Sequence, residues 1–463
     1  MPEIDPRLTR GLDALSEQRT EVTEYLNWYR GDHPRPYIPP KAAAEYRRIV
    51  DIASSAWLKL VIDAINERLK VDGFTGQGDA DTDLEAWRIW QANRMNAVQV
   101  LVHAEALTLG RSYVSVWPNL SDRSTPILRG ESARRVWVAR DSTDFRPLWA
   151  VKSWTTGDEG PAPGSQVAYL YDPEQFQVYR RADKSGEWKP DGPPRPNLLR
   201  RVPFVEFANG RDLLGETTSE LAPLIPIQER INSTNLHMQL AMLVAAFKQR
   251  WAAGLVIPED ENGNPVEPFN AAVDKLWISD NPDAKFGEFS ESNLANYVAV
   301  LESLVRQLSA ISAVPAHYLL GQMVNISAEA LKAAEAGLSA KVRHKQLVLG
   351  EGWSEVMDLV QAAGGRVAAP LEPHWADTEA RSEAQLVDAL TKLGAPPIGI
   401  PQEALWERYG VSPPVIQRWK DMQADAARRA AGAEVAGVLA ARFGADTGPA
   451  DTPPAAPAAA EAA

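Results

Sequence analysis

Pro315 stands between two long amphipathic patterns, and a chain that carries them must place a short connection on two stiff arms at that junction. Upstream, Leu294, Tyr297, Val298, Leu301, Leu304, Val305, Leu308 and Ile311 recur at three- and four-residue spacing, the period of one buried helical face. Ser292 or Asn293 is placed to cap its first turn. The helix must stop near Val314, because Pro315 lacks an amide donor and pushes the residue before it out of helical geometry. Ser327 offers the next cap, with Glu329 in the first turn, where a carboxylate meets the positive end of the helix dipole. From there Leu331, Ala334, Leu338, Val342, Leu349, Trp353, Val356 and Val360 run on to Gly364 and Gly365. At about 1.5 Å per residue this predicts a helix of roughly 50 Å. Gly350 and Gly352 lie inside it and mark an expected kink. Residues 313–327 (AVPAHYLLGQMVNIS) are thus read as a loop held between the two helices.

Composition narrows what surrounds this junction. A chain of 463 residues with 45% apolar content has enough material for several packed layers, so a multidomain soluble protein is expected. The lack of cysteine excludes disulfides and thiolate metal sites, which fits a reducing compartment. The first residues, MPEIDPRLTRGLDAL, lack the basic-then-apolar order of a signal peptide. The longest strongly apolar run, 240–247, is too short for a membrane span, so export and membrane insertion are not expected. A formal charge of −13 opposes tight nonspecific binding to DNA, whose affinity comes largely from phosphate neutralisation by Lys and Arg.

In chain order, residues 10–24 read as a helix, and 25–40 (YLNWYRGDHPRPYIPP) as an aromatic and proline loop. Residues 42–71 predict a second helix ending at Gly73, and 84–109 a helix or helix pair. Then the pattern changes: 112–117, 136–139, 148–154, 167–171, 176–181 and 202–207 are short runs rich in Val, Tyr, Phe and Trp, which predict an antiparallel sheet. After Pro223 and Pro226 a helix is expected from 227 to about 250. One stripe on it is Ile227, Ile231, Met238 and Met242; another, of Asn232, Asn235 and Gln239, suits a wet face or a subunit contact. Residues 251–289 form an insert rich in Pro, Gly, Asn and Asp, with short strands expected at 254–257 and 275–278. Beyond Gly365, 370–375 leads into helical patterns at 380–393, 402–409 and 413–429. From Gly444 the Ala, Pro, Asp and Thr composition predicts a disordered tail.

Enzyme signatures are absent from the sequence. There is no phosphate-cradling glycine loop with its lysine, no HExxH, no GxSxG, and no metal-ligand spacing among the six histidines. His103, His237, His317 and His344 are read as packed or exposed imidazoles, and the fifteen tryptophans as core rather than sugar-stacking platforms. No cofactor is expected.

The order of elements, with WYRGDHPRPY, AEALTLGRSYVSVWP, NGRDLLGETTSEL, VPAHYLLGQ and NISAEALKAAEAGL within it, resembles the portal proteins of tailed bacteriophages. The version it resembles is that of phages of Gram-positive and actinobacterial hosts. The resemblance implies an α+β, mainly helical chain, with a wing at 1–215, a stem helix at 216–250, a clip at 251–290 and a second stem helix at 291–313. A tunnel loop at 314–326, a wing-spanning helix at 327–369 and a helical crown at 370–443 would follow, then the tail at 444–463. It further implies a homo-oligomeric ring of about twelve subunits, roughly 600 kDa, at one capsid vertex of the virion, assembled in the host cytoplasm. Double-stranded DNA would pass through it during packaging and ejection, and terminase, a head–tail adaptor, and capsid and scaffold proteins would be partners. His317, Tyr318, Leu319, Gln322, Met323, Val324 and Asn325 would form the channel loop; Asn235, Met238, Gln239 and Met242 would make stem subunit contacts. An acidic or neutral lining would keep a DNA channel from becoming a DNA-binding site. A hydrolytic or carbohydrate-active enzyme, and a capsid structural protein without a channel, are the rival readings.

Overall fold

The computed structural model of the chain describes residues 4–32, 34–40, 46–76, 83–157, 163–183, 185–246, 250–254, 283–288, 293–321, 328–365, 369–377, 383–411 and 413–443. Helix α1 (Pro6–Arg30) opens on Asp5, whose carboxylate accepts the amide of Arg7 at 2.9 Å, and closes on Gly31 at φ 83°. It overruns the expected 10–24 and absorbs the first part of the expected aromatic loop. Trp28 is buried there, so packing carries the helix to the first residue that takes the left-handed conformation without a Cβ penalty.

The single helix expected over 42–71 is broken into α2 (Arg47–Ile52) and α3 (Trp57–Asn66). Between them the Ser55 amide donates to Asn232 Oδ1 at 3.1 Å, and its carbonyl accepts from Gln228 Nε2 at 2.8 Å. Side chains from a distant helix thus use backbone groups that a continuous helix would need. Val71 already belongs to β1 (Val71–Gly76). The stretch 84–109, expected as a helix or helix pair, is two helices, α4 (Leu84–Ala92) and α5 (Met95–Leu109), broken at Arg94, which is left-handed at φ 56°.

The expected antiparallel sheet resolves into two. In the first, β2 (Arg111–Trp117) lies between β3 (Ile127–Glu131) and the later β10. In the second, β4 (Val136–Arg140), β5 (Pro147–Thr155), β6 (Gln166–Tyr171), β7 (Gln175–Arg181) and β8 (Lys189–Pro190) form a meander, with β9 (Arg195–Pro196) also paired to β7. Then β10 (Phe204–Ala208) pairs antiparallel with β2, Phe204 opposite Ser115 and Ala208 opposite Arg111. Period-two alternation explains the layering. Val114 and Val116 turn to the main core with α5, while Tyr113 and Trp117 turn to a second cluster with Val136, Ala150 and Tyr171 of the meander. A third cluster seats α1 on the meander, and a Cβ on Gly11 would lie 2.5 Å from Val151.

Helix α6 (Ile225–Ala246) falls short of residue 250 at its end, and β11 (Arg250–Ala253) pairs antiparallel with β12 (Lys285–Glu288). Most of the insert, including the strands expected at 254–257 and 275–278, lies outside the described residues apart from Gly254. Helix α7 (Ala295–Ser312) follows, with Asn293 Oδ1 accepting the Ala295 amide at 3.0 Å. The stretch expected as loop contains α8 (Ala316–Leu320), for which Pro315 is the N-cap. Helix α9 (Ala328–Ala363) has 36 residues and runs helically through Gly350 and Gly352, which are close-packing sites rather than a break. A Cβ at Gly352 would come within 2.9 Å of the Phe207 ring.

The chain then returns as β13 (Leu371–Trp375), pairing antiparallel with β1, Gly76 opposite Leu371 and Val71 opposite Trp375. This strand, placed at the start of the crown by sequence, therefore lies with the N-terminal body. Helices α10 (Glu383–Gly394), α11 (Gln402–Tyr409) and α12 (Pro413–Phe443) follow, the last extending well past the expected 429; residues 444–463 lie outside the described residues. Among the described residues, no helix is long and apolar enough to cross a membrane, and no group of three or more His, Cys, Asp or Glu side chains is placed to hold a metal.

Candidate functional site at the helix junction

The junction between α7 and α9 is fixed by two polar clusters and bracketed by two left-handed residues. Ala313 ends α7 at φ 58°, and Gly321 ends α8 at φ 64°. Ala313 is a position where glycine would be easier, since a Cβ in the left-handed region crowds the following carbonyl. Ser309 Oγ donates to the Val314 carbonyl at 2.7 Å, and the Val314 amide donates to Ser312 Oγ at 3.2 Å, which closes the turn. Val314 is fully buried.

The first cluster holds α8. An Arg68 guanidinium nitrogen donates to Tyr318 Oη at 2.6 Å, and Tyr318 Oη donates to Glu335 Oε1 of α9 at 3.3 Å. Arg68 also lies 3.7 Å from the Glu335 carboxylate, and His317 Nε2 is 4.0 Å from its Oε1. The second cluster lies one turn and more along α9. Lys341 Nζ donates to the Ser312 carbonyl at 3.0 Å and pairs with Glu220 at 2.6 Å. Lys345, almost fully buried, pairs with the same carboxylate and donates to Asn209 Oδ1 at 2.6 Å. Burial by itself would push the Glu220 carboxyl up, but the two ammonium groups outweigh it and hold it down at about 2. Near the far end of α9, Trp353 Nε1 donates to His103 Nε2 at 2.8 Å, and His103 Nδ1 donates to the Leu69 carbonyl at 3.2 Å. Burial holds this imidazole down at about 4, so it sits neutral with its proton on Nδ1.

The residues expected to form the channel loop divide in two. His317 and Tyr318 are in the first cluster and Leu319 is buried, so all three pack on their own chain; Gln322, Met323, Val324 and Asn325 lie outside the described residues. The amide stripe of α6 is not a wet face at its base. Asn232 is buried and accepts from Gln228 Nε2 at 2.9 Å, and Asn235 Nδ2 donates to the Ala53 carbonyl at 3.3 Å. Gln239 Oε1 is buried with no hydrogen-bond partner among the described residues, Met238 is half-buried, and Met242 is exposed. Sequence patterning missed Arg68, Glu220, Glu335, Lys341 and Lys345 because their partners are far away in sequence, where periodicity carries no signal.

A profile described as "Phage portal protein, SPP1 Gp6-like" matches residues 10–429. The portal protein of Mycobacterium phage D29 is 29% identical over 448 residues, covering 91% of this chain and 90% of the relative. That of Mycobacterium phage L5 is 29% identical over 419 residues, covering 85% and 83%. A chain in a solved structure described as "Neck of native GTA particle computed with C12 symmetry" aligns over 84% of this chain and 99% of its own, at 12% identity and a TM-score of 0.43. With the profile spanning the α/β body, both long helices and their junction, the chain belongs to the SPP1 Gp6-like family of phage portal proteins.

Proposed function

We propose that this portal protein acts as a ring of about twelve copies at one capsid vertex, through which double-stranded DNA enters and leaves. Terminase and a head–tail adaptor dock on it from outside, capsid and scaffold proteins meet it from within the head, and it assembles in the host cytoplasm. The observation that carries this reading is the family match across residues 10–429. In this arrangement α6 and α7 form the stem, with the β11–β12 ribbon at the clip end. Met242, exposed in the single chain, and half-buried Met238 lie where a neighbouring copy would cover them. Each subunit of such a ring meets its neighbours through two different patches.

The channel loop would span residues 314–326, with Ala313 and Gly321 as its turning points and Gln322, Met323, Val324 and Asn325 as the part that meets DNA. Its root is tethered by Arg68 and Glu335. Negative-stain imaging of the purified chain tests the proposal. Rings of roughly 600 kDa with a central hole are expected, and Met238→Asp with Met242→Asp should reduce them to monomers or open aggregates. A wild-type protein that stays monomeric at all concentrations overturns it.

A further inference from the structure

A cleft of about 1590 Å³ lies in the N-terminal body between α1, α5 and the strands β3 and β5, away from the junction. Its charge is opposite to that of the chain. Seven arginines line it against three carboxylates, in a protein of net charge −13. Arg30, Arg94, Arg129, Arg134 and Arg135 make no ion pair at contact distance among the described residues. The other two are held at the rim: Arg19 Nε donates to the Arg134 carbonyl at 2.9 Å, and Arg181 lies 4.6 Å over the Trp188 ring. Of the three acids, Glu131 is paired to Lys152, and Glu105 accepts from Ser132 Oγ at 2.5 Å and the Ala133 amide at 2.9 Å while facing the charges of Arg134 and Arg135, so one carboxylate stands against two of the arginines. Asp13 alone remains open at the rim.

Two observations add to the charge. Thr108 Oγ1 and Arg134 Nε, on the wall of the cleft, are buried and have no hydrogen-bond partner among the described residues; Thr108 is 2% exposed. Such groups ordinarily find a partner. Arg94 also holds a left-handed backbone at the rim, at φ 56°, a conformation that an L-residue rarely adopts. The floor is apolar, with Leu12, Leu26, Val98 and Leu128 half-buried or buried and Leu101 69% exposed.

We propose that this cleft is a docking groove for an acidic, leucine-bearing helical segment of a partner protein. An apolar floor inside an arginine rim matches a helix that carries leucines on one face and carboxylates on its flanks, and arginine is the side chain suited to two-pronged carboxylate contacts. Duplex DNA fits less well, since it presents phosphates on a convex surface and offers nothing to a concave apolar floor.

The test uses the full-length protein in its native oligomeric state and fluorescence anisotropy with three labelled probes. These are a short helical peptide of Glu, Leu and Ala, the same peptide with Lys for Glu, and a short DNA duplex. The acidic peptide should bind, the basic one should not, and binding should weaken as salt rises from about 50 to about 300 mM. Arg134→Glu with Arg135→Glu should lower peptide affinity about tenfold or more while helix content and oligomeric state stay unchanged. Because Arg134 is partly buried, exposed Arg94→Glu with Arg129→Glu is the second variant, with the same expectation. The proposal falls if the acidic peptide does not bind, if the duplex binds more tightly than the peptide, or if both variants bind the peptide as wild type does. It also falls if the charge reversals dissolve the oligomer, which would make the cleft a contact between copies.

Discussion

Helices α9 and α12 are similar in length, 36 and 31 residues, yet they are held by opposite means. In α9, Leu338, Val342, Leu349, Trp353, Val356, Met357 and Val360 are all buried, and three polar locks fix its register: Glu335 with Arg68, Lys341 and Lys345 with Glu220, and Trp353 with His103. In α12 the anchor is confined to the start, where Ile416 is buried, Trp406 meets Trp419 edge to face, and Lys420 lies 3.6 Å from Glu403. Every residue from Asp421 to Leu439 is exposed, including Met422, Val435, Val438 and Leu439. Helical length is thus no measure of helical stability. Tertiary burial supplies most of it, and isolated helices of this size are marginal in water.

Substitutions sharpen that contrast, the largest effects falling in α9. Trp353→Ala removes a fully buried ring and orphans His103, and should cost about 3–5 kcal/mol by denaturant unfolding. A loss under about 1 kcal/mol would show that α9 is not the core element described. Glu220→Ala strands the buried Lys345 ammonium, and about 3–5 kcal/mol should be lost. An unchanged melting curve in that variant would mean that Asn209 alone satisfies the lysine.

The pH dependence of stability follows from the same locks. His103 takes its proton at 6.5 when unfolded but only at about 4 when folded, so the unfolded chain binds more protons between those values. Stability should therefore fall as pH drops from 6.5 to about 4, by about 3 kcal/mol from this group. Glu220, ordinarily at 4.5 and here at about 2, extends the loss from 4.5 downward, because its favourable charged form must be given up. In His103→Gln the decline between 6.5 and 4.5 should flatten. An undiminished slope would place the titrating group elsewhere.

Two smaller effects complete the comparison. Ala313→Gly relieves the left-handed turn, partly offset by the greater freedom of the unfolded chain, and should stabilise by about 1 kcal/mol or less. In α12, Val438→Ala should change the stability of the isolated chain by no more than about 0.5 kcal/mol, measured beside Trp353→Ala.

Much of this was readable from periodicity. The faces of α7 and α9, the Pro315 break, the pair α4 and α5, and most strands of the two sheets follow from apolar spacing that each segment carries within itself. What sequence did not reveal depends on partners far along the chain. β1 reads VDGFTG and β13 reads LEPHW, neither alternates cleanly, and each is a strand because the other completes it about 300 residues away. The aromatic residues 25–30 read as loop by composition but are helix by burial, and the amide stripe of α6 reads as a wet face or a subunit contact, whereas Asn232 and Asn235 bond to Ser55 and Ala53. In the candidate site, the break at Pro315 could be read from sequence, but α8 inside the expected loop and the salt-bridged locks around it could not.

The pairing of β1 with β13 has a mechanical meaning. The chain leaves the body after β10, secured by the Asn209 and Glu220 amides on the Gly110 and Leu107 carbonyls, runs out along α6 and back along α7, and is held to the body again by the buried face of α9 and by the β1–β13 pair. A load applied at the β11–β12 end therefore reaches the body along two struts, α6 and α7, rather than through one free chain end. Sustained thrust would be shared between two footings, and failure of either would leave the other to bear it.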